Sequence, residues 1–242
     1  MVEAATMTQR ILYADPLVAG ESVTLSADQS HHLARVLRAK IGERIELVGG
    51  GGTLAQATLV EVSPRRCLAR VESVQVHEPQ SKICLAFGIP KSGALDFILH
   101  KVTELGVAGF QPLITRHSLA GSHWNLSRWE RVIAEVAKQC QLVHFPFLSN
   151  PLSLENWVKS RATKRWLILC DENQREAPLS KQPESISAVD LVLGPEGGWA
   201  EEETLALQRQ GASLLGLGQQ RLRCDTAALV AMALVKSRLG EI

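Results

Sequence analysis

The stretch Leu193-Gly194-Pro195-Glu196-Gly197-Gly198-Trp199 contains the first of two glycine turns that decide the fold. The second turn is Leu215-Gly216-Leu217-Gly218, and Leu222-Arg223-Cys224-Asp225-Thr226-Ala227 follows it closely. Each turn comes after a short apolar run typical of a strand and before a pattern typical of a helix. Glycine has no Cβ and takes positive φ at little cost, so a bound molecule can approach the main chain. The two turns together therefore predict one ligand pocket.

The residues around the first turn argue against a phosphate ligand. Glu201, Glu202 and Glu203 begin the next helix, where they suit the positive end of its macrodipole but would repel a phosphate. Neither this turn nor the four glycines at 49–52 have the spacing or the lysine of a nucleotide fingerprint. Because the fingerprint is absent, an enzyme that uses a pyridine nucleotide is also disfavoured. A ligand without a phosphate is predicted.

The composition is that of an ordinary globular protein. The chain has 242 residues, of which 45% are apolar and 21% charged, enough for one large or two modest domains. Charges interrupt the apolar stretches and residues 1–10 lack a hydrophobic region, so we expect neither a membrane span nor a signal peptide, and a cytoplasmic location. A net charge of +1 means that any nucleic-acid surface must be a local patch.

The cysteines and histidines predict no metal site. The cysteines are odd in number and lack C-x-x-C spacing, which argues against a disulfide framework or a zinc cluster; we expect them to be reduced and mostly buried. His117, His123 and His144 lie in different segments without ligand spacing. The five cysteines are Cys67, Cys84, Cys140, Cys170 and Cys224.

Residues 1–76 predict a small β-barrel. Three β-type runs, at 44–48, 53–62 and 66–74, are separated by glycine and proline turns. A helix at 29–39 interrupts them, and its apolar stripe of Leu33, Val36 and Leu37 is expected to pack on the barrel. The rest of that helix is basic and meets either solvent or phosphate; its residues are His31, His32, Arg35, Arg38 and Lys40.

Residues 77–242 predict an α/β domain with a parallel sheet, because apolar strands alternate with helical patterns. The predicted strands are 110–113, 166–170, 190–193 and 213–217. The predicted helices are 94–105, 127–140 and 226–239. Trp124 and Trp129 are able to stack on a flipped base, but Trp129 lies on the apolar stripe of its helix, which favours core packing.

The chain resembles the RsmE family of SPOUT methyltransferases nearly from end to end. The matching segments are His31-His32-Leu33 with Val36-Leu37-Arg38, residues 101–107, Gln139-Cys140, residues 194–198, and Leu222-Arg223 with Thr226-Ala227. The resemblance implies methylation of N3 of a uridine in 16S ribosomal RNA, free or in the small ribosomal subunit, with S-adenosylmethionine as donor. It also implies an N-terminal PUA-like β-barrel that binds RNA, a C-terminal SPOUT α/β domain with a deep trefoil knot, and a homodimer.

The resemblance also implies which residues form the site. Main-chain contacts and apolar packing around adenine would hold the donor, and methyl transfer from a sulfonium needs no metal. The RNA-binding candidates are His32, Arg35 and Arg38, whose alternative is a solvated face. The donor-binding residues would be Leu193, Gly194, Glu196, Gly197, Leu217, Gly218 and Leu222.

Arg223 and Asp225 are the catalytic candidates. Arg223 would stabilise the developing uracil anion or hold its phosphate, because a guanidinium stays charged and offers forked donors. Its alternative is a structural ion pair with Asp225 or Glu196. A glutamate in a glycine turn more often caps a helix or ties down loop amides than moves protons, so a structural role is favoured for Glu196. The role of Asp225 stays open.

Two segments depart from the family pattern. Where the family usually has Glu-Gln-Ser/Cys-Gly-Arg, this chain has Lys138-Gln139-Cys140-Gln141-Leu142. Where the family usually has Leu-Gly-Pro-Arg, an apolar residue and Leu-Arg, this chain has Leu217-Gly218-Gln219-Gln220-Arg221-Leu222-Arg223. These changes motivate an alternative: an RNA-binding or ribosome-assembly factor that keeps the fold and the donor pocket but has lost activity.

Overall fold

The computed structural model describes residues 9–242 apart from residues 14, 80, 91–92, 119–123, 175–176, 181–182 and 184–187. The described residues form two compact units. The first comprises the residues up to Pro79 together with Gln141–His144, and the second comprises the remainder. Within these ranges, no helix has the length and apolar character needed to cross a membrane.

The first unit is built on five strands: β1 (Arg10–Leu12), β2 (Ser22–Thr24), β3 (Arg44–Gly49), β4 (Thr53–Val62) and β5 (Cys67–Val76). Their order is β1-β3-β4-β5-β2, with β1 parallel to β3 and all other pairs antiparallel. In the described residues this sheet is open, unlike the predicted closed barrel. Its end strands, β1 and β2, are three residues long and each pairs on one side only.

The core of the first unit is filled by alternate residues of the long strands. Ala55, Ala57 and Leu59 of β4 are fully buried, as are Ala69 and Val71 of β5. This period of two is that of a sheet with one face on the core and one in solvent. The sequence prediction of strands at 44–48, 53–62 and 66–74 agrees with the structure to within two residues at each end.

The predicted helix at 29–39 is shorter and partly of another type. Helix α1 (Ala27–His31) begins at Ser26, whose side-chain oxygen accepts a hydrogen bond from the Gln29 main-chain N–H at 3.3 Å. It continues as one π-helical turn, His32–Val36, in which the Leu37 N–H donates to the His32 carbonyl oxygen five residues back. Arg38, with φ of 53°, ends the helical path.

The π turn overturns one sequence expectation. Leu33 is buried as predicted, but Val36 is 62% exposed and Leu37 42% exposed, so these two side chains do not pack on the core. An α-helix has 3.6 residues per turn, and a π turn has more. The side chains after Leu33 are therefore rotated away from the apolar face on which α-helical spacing would place them.

The described part of the second unit contains seven strands: β6 (Ile83–Gly88), β7 (Gly109–Ile114), β8 (Phe147–Leu148), β9 (Leu152–Ser153), β10 (Trp166–Cys170), β11 (Val189–Leu193) and β12 (Ser213–Leu214). The order is β12-β10-β11-β6-β7-β8, β9 also pairs with β7, and every pair is parallel. The predicted α/β organisation is confirmed. Strands β6, β10 and β11 are buried along their whole length, as their unbroken apolar sequences indicate.

Among the described residues, five helices cover the two faces of this sheet: α2 (Ala94–Glu104), α3 (Leu126–Gln139), α4 (Leu154–Ser160), α5 (Glu201–Arg209) and α6 (Cys224–Leu239). Alternate residues of β11 belong to different cores: Leu191 packs with α2, α3 and α6, and Val192 packs with α4 and α5. The result is a three-layer α/β/α unit. Trp129 is 5% exposed within the first of these cores, which confirms core packing for that side chain.

A buried ion pair joins the beginnings of two central strands. Asp190 of β11 is 5% exposed. Its carboxylate accepts hydrogen bonds from Arg165 Nε at 2.6 Å and from Arg161 Nη2 at 3.2 Å. Arg165 also donates to the Val189 carbonyl oxygen at 2.7 Å. Because the Arg161 side chain is only 4% exposed, its charge depends on Asp190 for compensation.

Replacing Asp190 with asparagine should lower the free energy of unfolding by about 3 kcal/mol, because it leaves a buried guanidinium without a counter-charge. Urea unfolding followed by tryptophan fluorescence measures this in the second unit, which contains all five tryptophans. Glu155→Gln is the control, since Glu155 forms an exposed ion pair with Lys159, and its urea midpoint should be unchanged. A wild-type midpoint for Asp190→Asn would refute the stabilising role of the cluster.

Candidate functional site

Both glycine turns lie at the carboxyl ends of parallel strands. The first follows β11 and the second follows β12, and a third segment, Cys170–Glu172, ends the strand β10 that lies between them in the sheet. In open α/β sheets, ligands bind outside the carboxyl ends of the strands. The three segments line one cavity.

Six of the seven predicted donor-binding residues line this cavity: Leu193, Gly194, Glu196, Leu217, Gly218 and Leu222. Gly197 does not. It lies against the loop after β7, where an added Cβ would come within 2.8 Å of the His117 Cβ. The structure therefore brings the two glycine turns together as the sequence predicts, with Gly197 turned toward the neighbouring loop.

The sequence analysis missed the third side of the cavity. That side consists of Cys170, Asp171 and Glu172. The other lining residues that were not assigned to the donor lie in the segments quoted from the sequence: Pro195, Gly198, Trp199, Gln220, Arg221, Cys224 and Ala227. The acidic pair Asp171-Glu172 directly follows the predicted strand 166–170. That position places the pair at the sheet edge where ligands bind, but only the strand order, with β10 between β11 and β12, brings it to this cavity.

The first turn is seated rigidly on the two strands beside β11. The indole Nε1 of Trp199 donates a buried hydrogen bond to the Cys170 carbonyl oxygen at 3.0 Å, which ties the turn to β10. Pro195 packs on Gly88 at the end of β6, where any Cβ would collide with the proline ring. The main chain of the turn is thus fixed in place before any ligand arrives.

An ion pair at the mouth of the cavity joins two of its sides. Arg221 Nε lies 2.9 Å from a Glu172 carboxylate oxygen, and the side chains are 62% and 36% exposed. Glu172 also lies against Gly198, whose φ of 72° favours glycine. Glu172 therefore contacts the first turn and is bonded to the second.

The carboxylates near the start of α6 engage the main chain and a thiol. Asp225 Oδ1 accepts a hydrogen bond from the Thr226 N–H at 2.8 Å, in the first turn of the helix. Burial, together with the negative charges of Glu196 and Asp225, raises the pKa of the Cys224 thiol to about 11. A hydrogen bond to the Glu196 carboxylate contributes in the same direction. Glu196 is thus linked to α6 across the cavity.

Arg223 stands immediately before α6 and is 81% exposed. Its Nη2 lies 3.6 Å from Asp225 Oδ2, which is the ion pair that the sequence analysis weighed as the alternative to catalysis. Neither residue is among those that line the cavity, but Leu222 and Cys224 on either side of Arg223 are. Arg223 is therefore adjacent in the chain to two lining residues, and most of its side-chain surface is in solvent.

The loop after β7 holds the first turn and the start of α5. His117 Nδ1 lies 3.2 Å from the Gly198 carbonyl oxygen. The Arg116 N–H donates to Glu203 Oε1 at 2.8 Å, and its guanidinium pairs with Glu202 at 2.6 Å. Glu203 also accepts a hydrogen bond from the Ala200 N–H at 3.0 Å, as expected of an acid at a helix start.

The other histidines and the cysteines show no metal arrangement in the described ranges. His123 lies outside the described residues, and His144 Nε2 is 2.6 Å from the His77 carbonyl oxygen in the first unit. All five cysteines are free; Cys67, Cys84 and Cys170 are buried, Cys224 is half-buried and Cys140 is exposed. Burial raises the pKa of Cys170 to about 12, which keeps this thiol protonated beside the cavity.

The RNA-binding candidates lie in the first unit. His32 and Arg35 are on the π turn and Arg38 directly follows it, and all three side chains are exposed. The structure therefore keeps them together on one short segment.

Two family models match the chain: an RNA methyltransferase domain over residues 77–236 and an RNA methyltransferase PUA domain over residues 25–72. A ribosomal RNA small subunit methyltransferase E from Synechocystis sp. is 30% identical over 238 residues, covering 96% of this chain and 78% of that protein. The chain belongs to this methyltransferase family. The resemblance noted in the sequence is thereby confirmed.

Further members of the family agree with this assignment. The methyltransferase E of Bacillus subtilis is 26% identical over 226 residues, which cover 88% of this chain and 88% of that protein. The crystal structure of the Neisseria gonorrhoeae methyltransferase E bound to S-adenosyl methionine matches with a TM-score of 0.83 at 26% identity. The match covers 95% of this chain and 97% of that one.

Glu196→Gln should make Cys224 react faster with iodoacetamide at pH 8. With a pKa of about 11 the Cys224 thiol is almost entirely protonated at that pH, and removing the Glu196 charge lowers the pKa, which increases the reactive thiolate. Mass spectrometry of digests from timed, quenched reactions measures the rate. The exposed Cys140 provides an internal reference whose rate should not change. An equal Cys224 rate in both proteins would contradict the Glu196–Cys224 link.

Proposed function

We propose that this protein transfers the methyl group of S-adenosylmethionine to N3 of a uridine in 16S ribosomal RNA. The observation that carries the proposal is the single cavity formed by both glycine turns in a chain that belongs to the ribosomal RNA small subunit methyltransferase E family. The donor supplies an electrophilic methyl group, and the residues of this chain bind it and prepare the nucleophile.

The cavity suits an adenosyl sulfonium compound. Leu193, Leu217 and Leu222 offer an apolar surface for adenine, and Gly194 and Gly218 leave the main chain open to polar contacts. The carboxylates at its rim favour a positively charged ligand and disfavour a phosphate. The six of the predicted residues that line the cavity remain our donor-binding proposal, with Glu172 and Arg221 added at the mouth. Gly197 lies against the His117 loop and is left out of the donor-binding set.

Arg223 is the residue that we propose to act on the nucleotide. Uridine N3 becomes nucleophilic when it loses its proton, and the Arg223 guanidinium stabilises the charge that develops on the uracil ring. The 81% exposure of the Arg223 side chain leaves it accessible to an incoming base. Asp225, 3.6 Å away, orients the guanidinium, while Glu196 serves to hold the first turn to α6.

We also propose the larger arrangement that the resemblance implies. Residues 1–76 form the RNA-binding domain, with His32, Arg35 and Arg38 on phosphates, and residues 77–242 form the methyltransferase domain. A deep trefoil knot in the second domain and a homodimer complete the active site, and the enzyme works in the cytoplasm, with its substrate. The PUA-domain match over residues 25–72 supports the RNA-binding role of the first domain.

The test is a methylation assay on 16S ribosomal RNA, both free and in small ribosomal subunits, with tritiated donor and identification of the product nucleoside by mass spectrometry. The expected product is 3-methyluridine. Binding of donor and RNA without turnover on either substrate would overturn the proposal in favour of an assembly factor. A different methylated nucleoside would overturn the assignment of N3.

Arg223→Ala should lower the rate of methyl transfer about a hundredfold, the usual cost of losing one donor that stabilises a developing negative charge. Donor binding measured by calorimetry should stay within about twofold of wild type, because Arg223 does not line the cavity. Arg209→Ala removes an exposed arginine at the end of α5 and should change neither quantity. Near-normal turnover by Arg223→Ala would remove Arg223 from the mechanism.

Glu172→Lys should raise the KM for S-adenosylmethionine about fivefold with little change in kcat. Two cations at the cavity mouth repel each other and loosen the second turn, an effect of the size expected for exposed charges. The double variant Glu172→Lys/Arg221→Glu should regain most of the lost affinity, because it restores an ion pair. Glu155→Lys, which places two cations on α4, is the matched control. No rescue by the double variant would refute a pairing role.

A further inference from the structure

Three large apolar side chains are exposed within six residues of the first unit. Val36 is 62% exposed, Leu37 42% and Ile41 68%. We call these three side chains the apolar patch. Exposed apolar groups so closely spaced are a recognised mark of interaction sites.

The main chain holds the apolar patch outward. Leu33, just before it, is 1% exposed and anchors the π turn in the core. The Ala39 N–H donates to the Leu33 carbonyl oxygen at 2.9 Å, and the Gly42 N–H donates to the Leu59 carbonyl oxygen of β4 at 2.8 Å. These hydrogen bonds fix the segment at both ends, so the fold itself keeps the three apolar side chains exposed.

Cations alternate with the apolar patch along the chain. Arg35, Arg38 and Lys40 are exposed, and none of them forms an ion pair with any residue in the described part of the chain. Uncompensated cations favour a polyanionic partner, and the phosphates of a nucleic acid supply that charge. The segment also lies within the match to the RNA methyltransferase PUA domain, residues 25–72.

We propose that the apolar patch packs on the faces of unpaired bases in the RNA substrate while Arg35, Arg38 and Lys40 bind the flanking phosphates. The inference rests on the proposed function and identifies an unpaired segment as the part of the RNA that the first unit binds. Unpaired RNA displays base faces on which flat or apolar surfaces can pack. A continuous A-form duplex stacks its bases on one another and presents mainly phosphate and ribose. The patch therefore selects an unpaired segment of the substrate.

The test compares the binding of wild type and variants to single-stranded and fully paired RNA of equal length, and to 16S ribosomal RNA, over a range of KCl concentrations. Val36→Ser/Ile41→Ser should weaken binding to the single strand about tenfold, with an unchanged slope of log K against log[KCl], because no phosphate contact is lost. Duplex binding should change less than twofold. Arg35→Ala/Arg38→Ala should reduce the slope by about 1.4 on the single strand.

The controls separate the apolar patch from surface apolarity in general. Val76→Ser removes a valine of β5 that is 74% exposed in the same unit, and it should bind all RNAs like wild type. Donor binding, which belongs to the second unit, should be normal in every variant.

Three outcomes would count against the inference. In the first outcome, Val36→Ser/Ile41→Ser binds the single strand as tightly as wild type, and wild type itself binds and methylates 16S ribosomal RNA. That result would overturn the RNA-binding role of the apolar patch and leave the proposed function standing. An altered oligomeric state of that variant in analytical ultracentrifugation would assign the patch to contact between copies of the chain and would overturn the RNA role. Failure of wild type itself to bind or methylate 16S ribosomal RNA would overturn the proposed function and this inference together.

Discussion

The parallel ladder between β10 and β11 is the constraint on which the rest of the second unit depends. It pairs Trp166 with Val189 at one end and Cys170 with Leu193 at the other, so both strands finish at the same level. The loop after each strand therefore begins at the same edge of the sheet, and the indole of Trp199 closes the arrangement by donating to the Cys170 carbonyl oxygen. A slip of one residue would turn alternate side chains into the wrong core and would separate the segments that form the cavity.

The two ends of this ladder carry different kinds of charge arrangement. At the starting end, Asp190 and Arg161 are buried and Arg165 is partly buried. Both arginines donate to Asp190, and Arg165 also donates to a main-chain oxygen, which is a structural use of charge. At the finishing end, Glu172 and Arg221 are partly exposed and join two of the segments that line the cavity. Buried ion pairs fix geometry because breaking them is costly, whereas exposed pairs exchange readily with water. The rigid end thus holds the sheet, and the adaptable end lies beside the cavity.

The sequence predicted most where one physical rule decides the structure. The continuous apolar run at 166–170 gave the strand β10 with its bounds, and the glycine turns pointed to one pocket because both follow such runs. What it missed depended on tertiary context. Glu172 joins the cavity only because β10 lies between β11 and β12, an order that no local pattern contains. Val36 and Leu37 were predicted to be buried because the 3.6-residue period was assumed, and a single π turn moved them into solvent. The family resemblance supplied what periodicity does not, above all the substrate class.

The departures from the family pattern change side chains more than they change the main chain. Gln141 replaces the usual glycine, yet its φ of 56° is the left-handed conformation in which glycine is favoured, and its carbonyl oxygen accepts a hydrogen bond from Arg10. Gln219 and Gln220 replace proline and arginine, but Leu217, Gly218 and Leu222 on either side still line the cavity. In the arrangement that we propose, main-chain groups and apolar side chains hold the donor, so replacing Pro and Arg by Gln219 and Gln220 leaves the proposed donor contacts in place. The proposed contacts to RNA are made by charged side chains, so divergence in this chain should affect substrate recognition before it affects donor binding.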